Sequence, residues 1–201
     1  MNHIYQKGKN DITLLLLHGT GGNEYDLLPL AKHIDQEASY LGVRGNILEN
    51  GMSRFFKRIS MGVFDEISLK EESMNLYDFI DKASIKYDFD RNKIVVIGYS
   101  NGANIAANLM LTYTNPFNRA ILFHPMVPSR NKLNNKLNQM NIFISSGKND
   151  AMVPQNEVFE LTEMFESLEA NVDVYWTDAG HQLTHEEITK ATEWYHQNKS
   201  T

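Results

Sequence analysis

The chain has no cysteine among its 201 residues, which removes disulfides, thiolate metal sites and a cysteine nucleophile from consideration, and nothing in it calls for an oxidising compartment. Positive charge is also in deficit: 19 Lys and Arg stand against 25 Asp and Glu, a net charge of -6. The one basic cluster is Arg54, Lys57 and Arg58. Phosphate backbones are gripped by clustered Lys and Arg, so nucleic acid is excluded as the main partner. Long apolar runs are missing too. The early run Leu14-Leu15-Leu16-Leu17 is far too short to cross a bilayer, and Met1-Asn2-His3-Ile4-Tyr5-Gln6-Lys7 lacks the apolar stretch of a signal peptide. No membrane insertion is expected, and a soluble cytoplasmic protein is the simplest reading. There is no internal repeat, low-complexity segment or linker, so residues 1–201 are read as one domain. A hydrophobic fraction of 42% fits a globular core, and a chain of this length buries on the order of 70% of its unfolded surface.

What is present is alternation. Strand-like apolar runs at 12–17, 94–97, 120–123, 141–145 and 172–176 are interleaved with amphipathic stretches at 25–34, 103–113, 154–168 and 186–197. Such βαβ alternation predicts an α/β fold with a mostly parallel sheet covered by helices on both faces. Ligands in such sheets bind outside the carboxyl ends of the strands, so the residues just after each apolar run are the ones to inspect. The least regular piece, 45–65, is long for a connection: it reads either as a functional loop or as a surface excursion whose aromatics pack on the core.

After the run Ile94-Val95-Val96-Ile97 comes Gly98-Tyr99-Ser100-Asn101-Gly102, at the start of a helix-compatible stretch. This is a nucleophile-elbow pattern, in which a sharp strand-to-helix turn lifts a serine hydroxyl clear of the chain. The turn also puts the next backbone N–H, that of Asn101, at the positive end of a helix, where an oxyanion is stabilised. Read blandly, the same pentapeptide is an ordinary strand-to-helix turn. A serine nucleophile needs a base, and the base an acid, in the chain order Ser, acid, His. Asp150 follows the run Ile142-Phe143-Ile144, whereas Asp173 falls inside a predicted strand and Asp178 lies only three residues before the candidate base, His181. His181 follows the strand at 172–176 and precedes the last helix. His3, His18 and His33 precede the serine, and His185 and His196 fall on the final helix. His124, at the end of the strand at 120–123, either lines the substrate site or is a hydrogen-bonded structural histidine. The loop His18-Gly19-Thr20-Gly21-Gly22 can supply a second oxyanion donor, with the Thr20 amide as the candidate. It lacks the Lys-Ser/Thr of a phosphate loop and the spacing of a dinucleotide site. His181 and His185 are four apart, but residue 182 is glutamine rather than the glutamate of a zinc-protease helix. No metal and no cofactor are expected.

With Leu15-Leu16-Leu17-His18-Gly19-Thr20-Gly21-Gly22-Asn23-Glu24, Gly98-Tyr99-Ser100-Asn101-Gly102-Ala103-Asn104 and Gly180-His181-Gln182-Leu183-Thr184 in order, nearly the whole chain resembles the bacterial phospholipase/carboxylesterase family of α/β-hydrolases. Arg44-Gly45-Asn46, Glu49-Asn50-Gly51-Met52, Arg54-Phe55-Phe56 and His124-Pro125-Met126-Val127-Pro128 are similar to a branch associated with quinone and hydroquinone stress. The resemblance implies a compact α/β-hydrolase fold, Ser100, Asp150 and His181 as a triad, and ester or thioester cleavage. The segment 124–140 leaves no room for a large lid domain. An accessible site for small to moderate-sized esters is therefore expected, edged by Arg54, Phe55, Phe56 and His124, with Arg54 either binding an anionic group or simply solvated. The expected activity is a carboxylesterase acting through an acyl-enzyme on a small-molecule ester. Thioesterase and lysophospholipase action would use the same triad. A dienelactone-hydrolase-like role would usually employ the cysteine this chain lacks. The rival from another class is a binding module holding a small aromatic ligand without turnover. The sequence leaves oligomeric state open, a homodimer included.

Overall fold

The computed structural model describes residues 1–131 and 135–199. In chain order its elements are β1 (His3–Gln6), β2 (Thr13–Leu17), α1 (Leu28–Ile34), β3 (Ser39–Val43), the short strands β4 (Ile47–Glu49), β5 (Met52–Arg54), β6 (Arg58–Ser60) and β7 (Val63–Phe64), and α2 (Glu66–Tyr87). There follow β8 (Ile94–Tyr99), α3 (Asn101–Thr112), β9 (Arg119–Phe123), β10 (Asn141–Gly147), α4 (Gln155–Ser167), β11 (Asn171–Thr177) and α5 (His185–Gln197).

The main sheet has seven strands among the described residues, in the order β1-β3-β2-β8-β9-β10-β11. It is parallel except for β1, which pairs antiparallel with β3 at one edge. Parallel strands joined by helical crossovers are covered on both faces and read as continuous apolar runs rather than alternating ones. That is why Leu14, Leu15, Leu16 and Leu17 are all buried. Leu15 and Leu17 point with Val96, Leu122 and Ile144 into a core that also holds Leu76 and Ile80 of α2, Ile105 and Leu109 of α3 and Leu161 of α4. Leu14 and Leu16 point the other way, with Val95, Ile97, Phe123 and Phe143, toward Leu30 and Ile34 of α1 and Trp194 and Tyr195 of α5. Burying each such side chain contributes about 1.5–3 kcal/mol. The predicted two-faced α/β architecture is thus the observed one.

Beyond the elements expected from the sequence, the fold adds β1, β3, the short strands β4, β5, β6 and β7, and α2. β1 and β3 complete the sheet edge, and α2 fills the stretch after the irregular segment. The N-terminus of α2 is fixed by Asp65, whose carboxylate accepts from the Ser68 N–H at 3.0 Å. Its buried seam mixes Leu69, Leu76 and Ile80 with Ser68 and Ser73, so its apolar stripe is broken. Segment 45–65 is two small antiparallel hairpins, β4-β5 and β6-β7, and its aromatics pack in the core. In the segment 124–140 no helix or strand occurs among the described residues, and residues 132–134 lie outside them. Among the described residues no helix is long and apolar enough to cross a membrane.

Register places the site. Leu17 pairs with Gly98, Tyr99 with Phe123, Phe123 with Ser145 and Gly147 with Thr177. The loops leaving β2, β8, β9, β10 and β11 therefore emerge side by side along one edge.

Candidate active site

Ser100 sits between β8 and α3 with φ 50° and ψ -112°. A positive φ is uncommon for a residue with a side chain, and such strain persists only where the surroundings over-determine it. Here the Ser100 N–H donates to the Phe123 carbonyl at 2.9 Å, and the Ser100 carbonyl accepts from the Asn104 N–H at 2.9 Å. The flanking glycines are required by close approach. A Cβ on Gly98 would stand 2.7 Å from backbone atoms of Ala103, and one on Gly102 would stand 2.0 Å from the Leu17 carbonyl oxygen. Asn101 opens α3, so its N–H lies outside the intrahelical ladder at the dipole's positive end. Its side-chain oxygen accepts from the Phe55 N–H at 2.7 Å, which ties β5's end to the elbow.

His181 and Asp150 come from the loops after β11 and β10, which are laced together. The Lys148 N–H donates to the Thr177 carbonyl at 2.8 Å, and the Asn149 side-chain amide to the Asp178 carbonyl at 2.6 Å. His181 Nε2 lies 2.8 Å from Ser100 Oγ, and His181 Nδ1 lies 2.7 Å from Asp150 Oδ2. The other carboxylate oxygen, Oδ1, accepts from the N–H groups of Met152 at 2.8 Å and Val153 at 3.0 Å. Burial pushes the Asp150 carboxyl up, but the hydrogen bond from His181 and those two backbone donors prevail, and it is held below the usual carboxylate range. An ionised Asp150 requires the proton on His181 Nδ1, which leaves Nε2 free to accept from the serine hydroxyl. The Tyr99 hydroxyl donates to the His181 carbonyl at 2.8 Å and pins the loop.

Across from Ser100, the loop after β2 holds Thr20. The N–H groups of its neighbours are used internally, Gly21 to the Ser53 carbonyl at 2.8 Å and Gly22 to the Gly19 carbonyl at 3.1 Å. The Thr20 N–H has no acceptor among the described residues. His18, fully buried, braces this loop: its Nε2 accepts from the Gly45 N–H at 3.1 Å, so Nδ1 carries the proton and donates to the Gly19 carbonyl at 2.6 Å. Burial lowers the His18 pKa, in keeping with a neutral ring.

The expected substrate edge is corrected. Phe55 and Phe56 are 0% exposed, so neither ring offers a surface to a substrate: Phe55 packs against the His18 ring and Phe56 against Phe64. Arg54 is 3% exposed, not solvated and not turned to an external anion. Its guanidinium donates to Thr20 Oγ1 at 2.6 Å and to the Phe56 carbonyl at 3.2 Å, and pairs with Glu49 at 3.1 Å. It braces the Thr20 loop from behind. His124 is also 0% exposed and faces Asp150, not the site mouth. The exposed apolar side chains nearby are instead Met52, which approaches Gly21 in the Thr20 loop, and Met152, two residues beyond Asp150. Met61 and Val63 of the second hairpin are exposed as well.

His185 is the first residue of α5 whereas His181 precedes it, so the pair does not share a helical face. Ligand-type atoms of His124, Asp150 and His181 do lie within 4.8 Å of one another. The two Nδ1 atoms, however, stand 3.0 and 2.7 Å from the same Asp150 oxygen. Those are N–H donor distances, and the geometry is that of two imidazoles sharing one acceptor. A concavity of about 460 Å³ opens at the amino ends of β9, β10 and β11, beside Arg119, Asn141 and Asn171, and no residue of the Ser100 cluster lines it.

A family model described as phospholipase/carboxylesterase matches residues 3–198. "Putative hydrolase MhqD" of Bacillus subtilis (strain 168) is 51% identical over 195 residues, covering 97% of this chain and 98% of that protein. The crystal structure of the Bacillus cereus carboxylesterase is 52% identical with a TM-score of 0.96, over 98% of this chain and 94% of that one. YahD, solved with malic acid, is 35% identical with a TM-score of 0.93, over 98% of both chains.

Proposed function

The chain belongs to the phospholipase/carboxylesterase family of α/β-hydrolases, and from that premise we propose that it is a serine carboxylesterase with Ser100, His181 and Asp150 as its triad. The observation that carries the reading is the continuous relay Asp150 Oδ2, His181 Nδ1, His181 Nε2, Ser100 Oγ, at 2.7 and 2.8 Å. His181 Nε2 takes the Ser100 proton as Oγ attacks the ester carbonyl carbon. The negative charge that forms on the carbonyl oxygen is stabilised by the N–H groups of Asn101 and Thr20. Collapse expels the leaving group, which takes the proton from His181, and an acyl-serine remains. Water then repeats the sequence, losing a proton to His181, and the acid departs with Ser100 restored. Asp150 orients the imidazole and stabilises its charged form throughout.

The exposed thioethers of Met52 and Met152 support apolar acyl or aryl groups of small to moderate size, because methionine adapts its shape to irregular apolar partners. Thioesters and lysophospholipids are cleaved by the same steps, and a series of acyl chain lengths separates them from simple esters. The deciding experiment is hydrolysis of p-nitrophenyl acetate by the wild type and by Ser100→Ala, with fluorophosphonate labelling located by mass spectrometry. Loss of a triad serine can cost on the order of a millionfold in rate, so the variant is expected at background and unlabelled. Activity surviving in Ser100→Ala would refute the assignment of the nucleophile. An inactive wild type whose Ser100 stays unlabelled would favour the binding-module reading.

A further inference from the structure

Behind the relay lies a second buried pair that the steps above do not use. His124, the residue after β9, has φ 52° and a fully buried side chain. Its Nδ1 lies 3.0 Å from Asp150 Oδ2, the oxygen that also receives His181, and its Nε2 lies 3.0 Å from Glu187 Oε1 as an ion-pair contact. Glu187, in the first turn of α5, is equally buried. Its Oε1 accepts from Ser145 Oγ at 2.8 Å, and its Oε2 accepts from the Thr184 N–H at 2.8 Å and the Thr184 hydroxyl at 2.7 Å. Three donors on one carboxylate favour its ionised form. Nδ1 is hydrogen-bonded to Asp150, whereas Nε2 makes no hydrogen bond and meets Glu187 as an ion pair; a neutral ring donating from Nδ1 would hold an Nε2 lone pair 3.0 Å from the Glu187 carboxylate, whereas an imidazolium presents positive charge to both.

We propose that His124 and Glu187 act as positioning residues for the triad: His124, held as an imidazolium between Glu187 and Asp150, fixes Asp150 Oδ2 in place and sets the net charge that His181 faces. The inference rests on the triad reading given above. The other groups facing His124 are the Tyr99 ring edge, 5.9 Å away between centroids, and the His181 ring at 5.1 Å. His181 itself faces Asp150, Tyr99 and Ser100. Burial opposes charge on His124, but Glu187 first and Asp150 second outweigh it and hold the ring above its ordinary pKa. Glu187 is lowered in return: burial raises it, and His124, Thr184 and Ser145 prevail. With Asp150 and Glu187 negative and His124 positive, the buried cluster carries one net negative charge toward His181. Without the imidazolium it carries two.

In His124→Asn, asparagine tolerates the left-handed backbone and keeps a short N–H donor near Asp150. Base protonation becomes easier, so the acid limb of the kcat/KM profile moves to higher pH, by about one unit. Adding Glu187→Gln, which a capping box accepts, removes the extra negative charge, and the double variant returns to the wild-type limb. A purely structural role would lower kcat in both and leave the limb where it was. Independently of any variant, ¹⁵N-resolved imidazole NMR of the wild type at neutral pH is expected to show both His124 nitrogens protonated. A neutral His124 ring, an unmoved limb in His124→Asn, or a double variant that does not return would each overturn the proposal. Failure of the triad reading is a different result, namely activity that survives Ser100→Ala.

Discussion

Asp150→Asn is a sharper perturbation here than the loss of one charge, because four donors converge on the Asp150 carboxylate. Oδ1 accepts from the backbone N–H groups of Met152 and Val153, and Oδ2 from the Nδ1 atoms of His181 and His124. An asparagine brings one oxygen and one NH2 to the same place, so only half of the donors keep an acceptor. The backbone amides cannot change, whereas an imidazole can move its proton to the other nitrogen. The amide oxygen is therefore expected to stay on Met152 and Val153, with the NH2 turned to His181. His181 then accepts at Nδ1 and carries its proton on Nε2, facing Ser100, where a base is needed. A base locked in the wrong tautomer costs on the order of 10⁴ in kcat. Stability falls less, by about 1–3 kcal/mol for a buried donor left without its acceptor at His124. In a domain of this size that is roughly 2–4 °C in Tm for each kcal/mol. The assays are p-nitrophenyl ester kinetics and thermal unfolding on the same preparations. A variant that keeps more than about a tenth of the wild-type kcat would refute the tautomer argument, and one that loses folding along with activity would refute the claim that His181 relaxes and only the His124 donor loses its acceptor.

Two further outcomes follow from packing and linkage. Gly102→Ala places a Cβ 2.0 Å from the Leu17 carbonyl oxygen and 2.6 Å from that of His18, both of them backbone atoms that cannot swing aside, so β2 or α3 must move. Overpacking of this kind costs about 1–3 kcal/mol, read as a lowered urea midpoint, together with weakened turnover; an unchanged midpoint would contradict the elbow's tightness. For pH, Asp150 and Glu187 are lowered in the fold, so their stabilisation is complete above their unfolded values near 4 and is lost as pH falls through the folded ones. His124 is raised, so its stabilisation is complete below about 6.5 and is lost as pH rises through its folded value. Urea midpoints are therefore expected to decline on both sides, with the alkaline decline removed in His124→Asn. An identical alkaline slope in that variant would show that another group titrates.

Ser100, Asp150 and His181 were legible because each follows an apolar strand, and a strand–turn–helix pattern is local information. Glu187 was not, because Thr184-His185-Glu186-Glu187 reads as an ordinary capped helix start, and it is one: both hydrogen bonds of the capping box are formed. Nothing local says that the same carboxylate also faces a buried histidine. Arg54 was misread for a related reason. A charged residue in an irregular segment suggests a solvated loop, and the partners that make burial tolerable are Glu49, across the same hairpin, and Thr20, which only the fold brings near from a distant loop. β3 was hidden by Gly42, which interrupts its apolar pattern; the glycine is there because a Cβ would stand 2.0 Å from the Glu24 carbonyl oxygen.

The elements that were hard to read are also the ones that join the site into a unit. From Thr184 at the start of α5 the contacts run through Glu187, His124 and Asp150 to His181 and Ser100, with each side chain supplied by the end of a different strand or by the last helix. A strained φ at Ser100 and another at His124 both sit on this line, and each is held by a backbone hydrogen bond to the neighbouring strand, Ser100 to Phe123 and His124 to Ser145. Strain of that kind costs about 1–3 kcal/mol per residue and is kept only where the frame is rigid. Groups that share one carboxylate do not respond independently, so the effects of Asp150→Asn and His124→Asn should fall well short of their sum when combined. The second substitution would act on a network that the first has already disconnected.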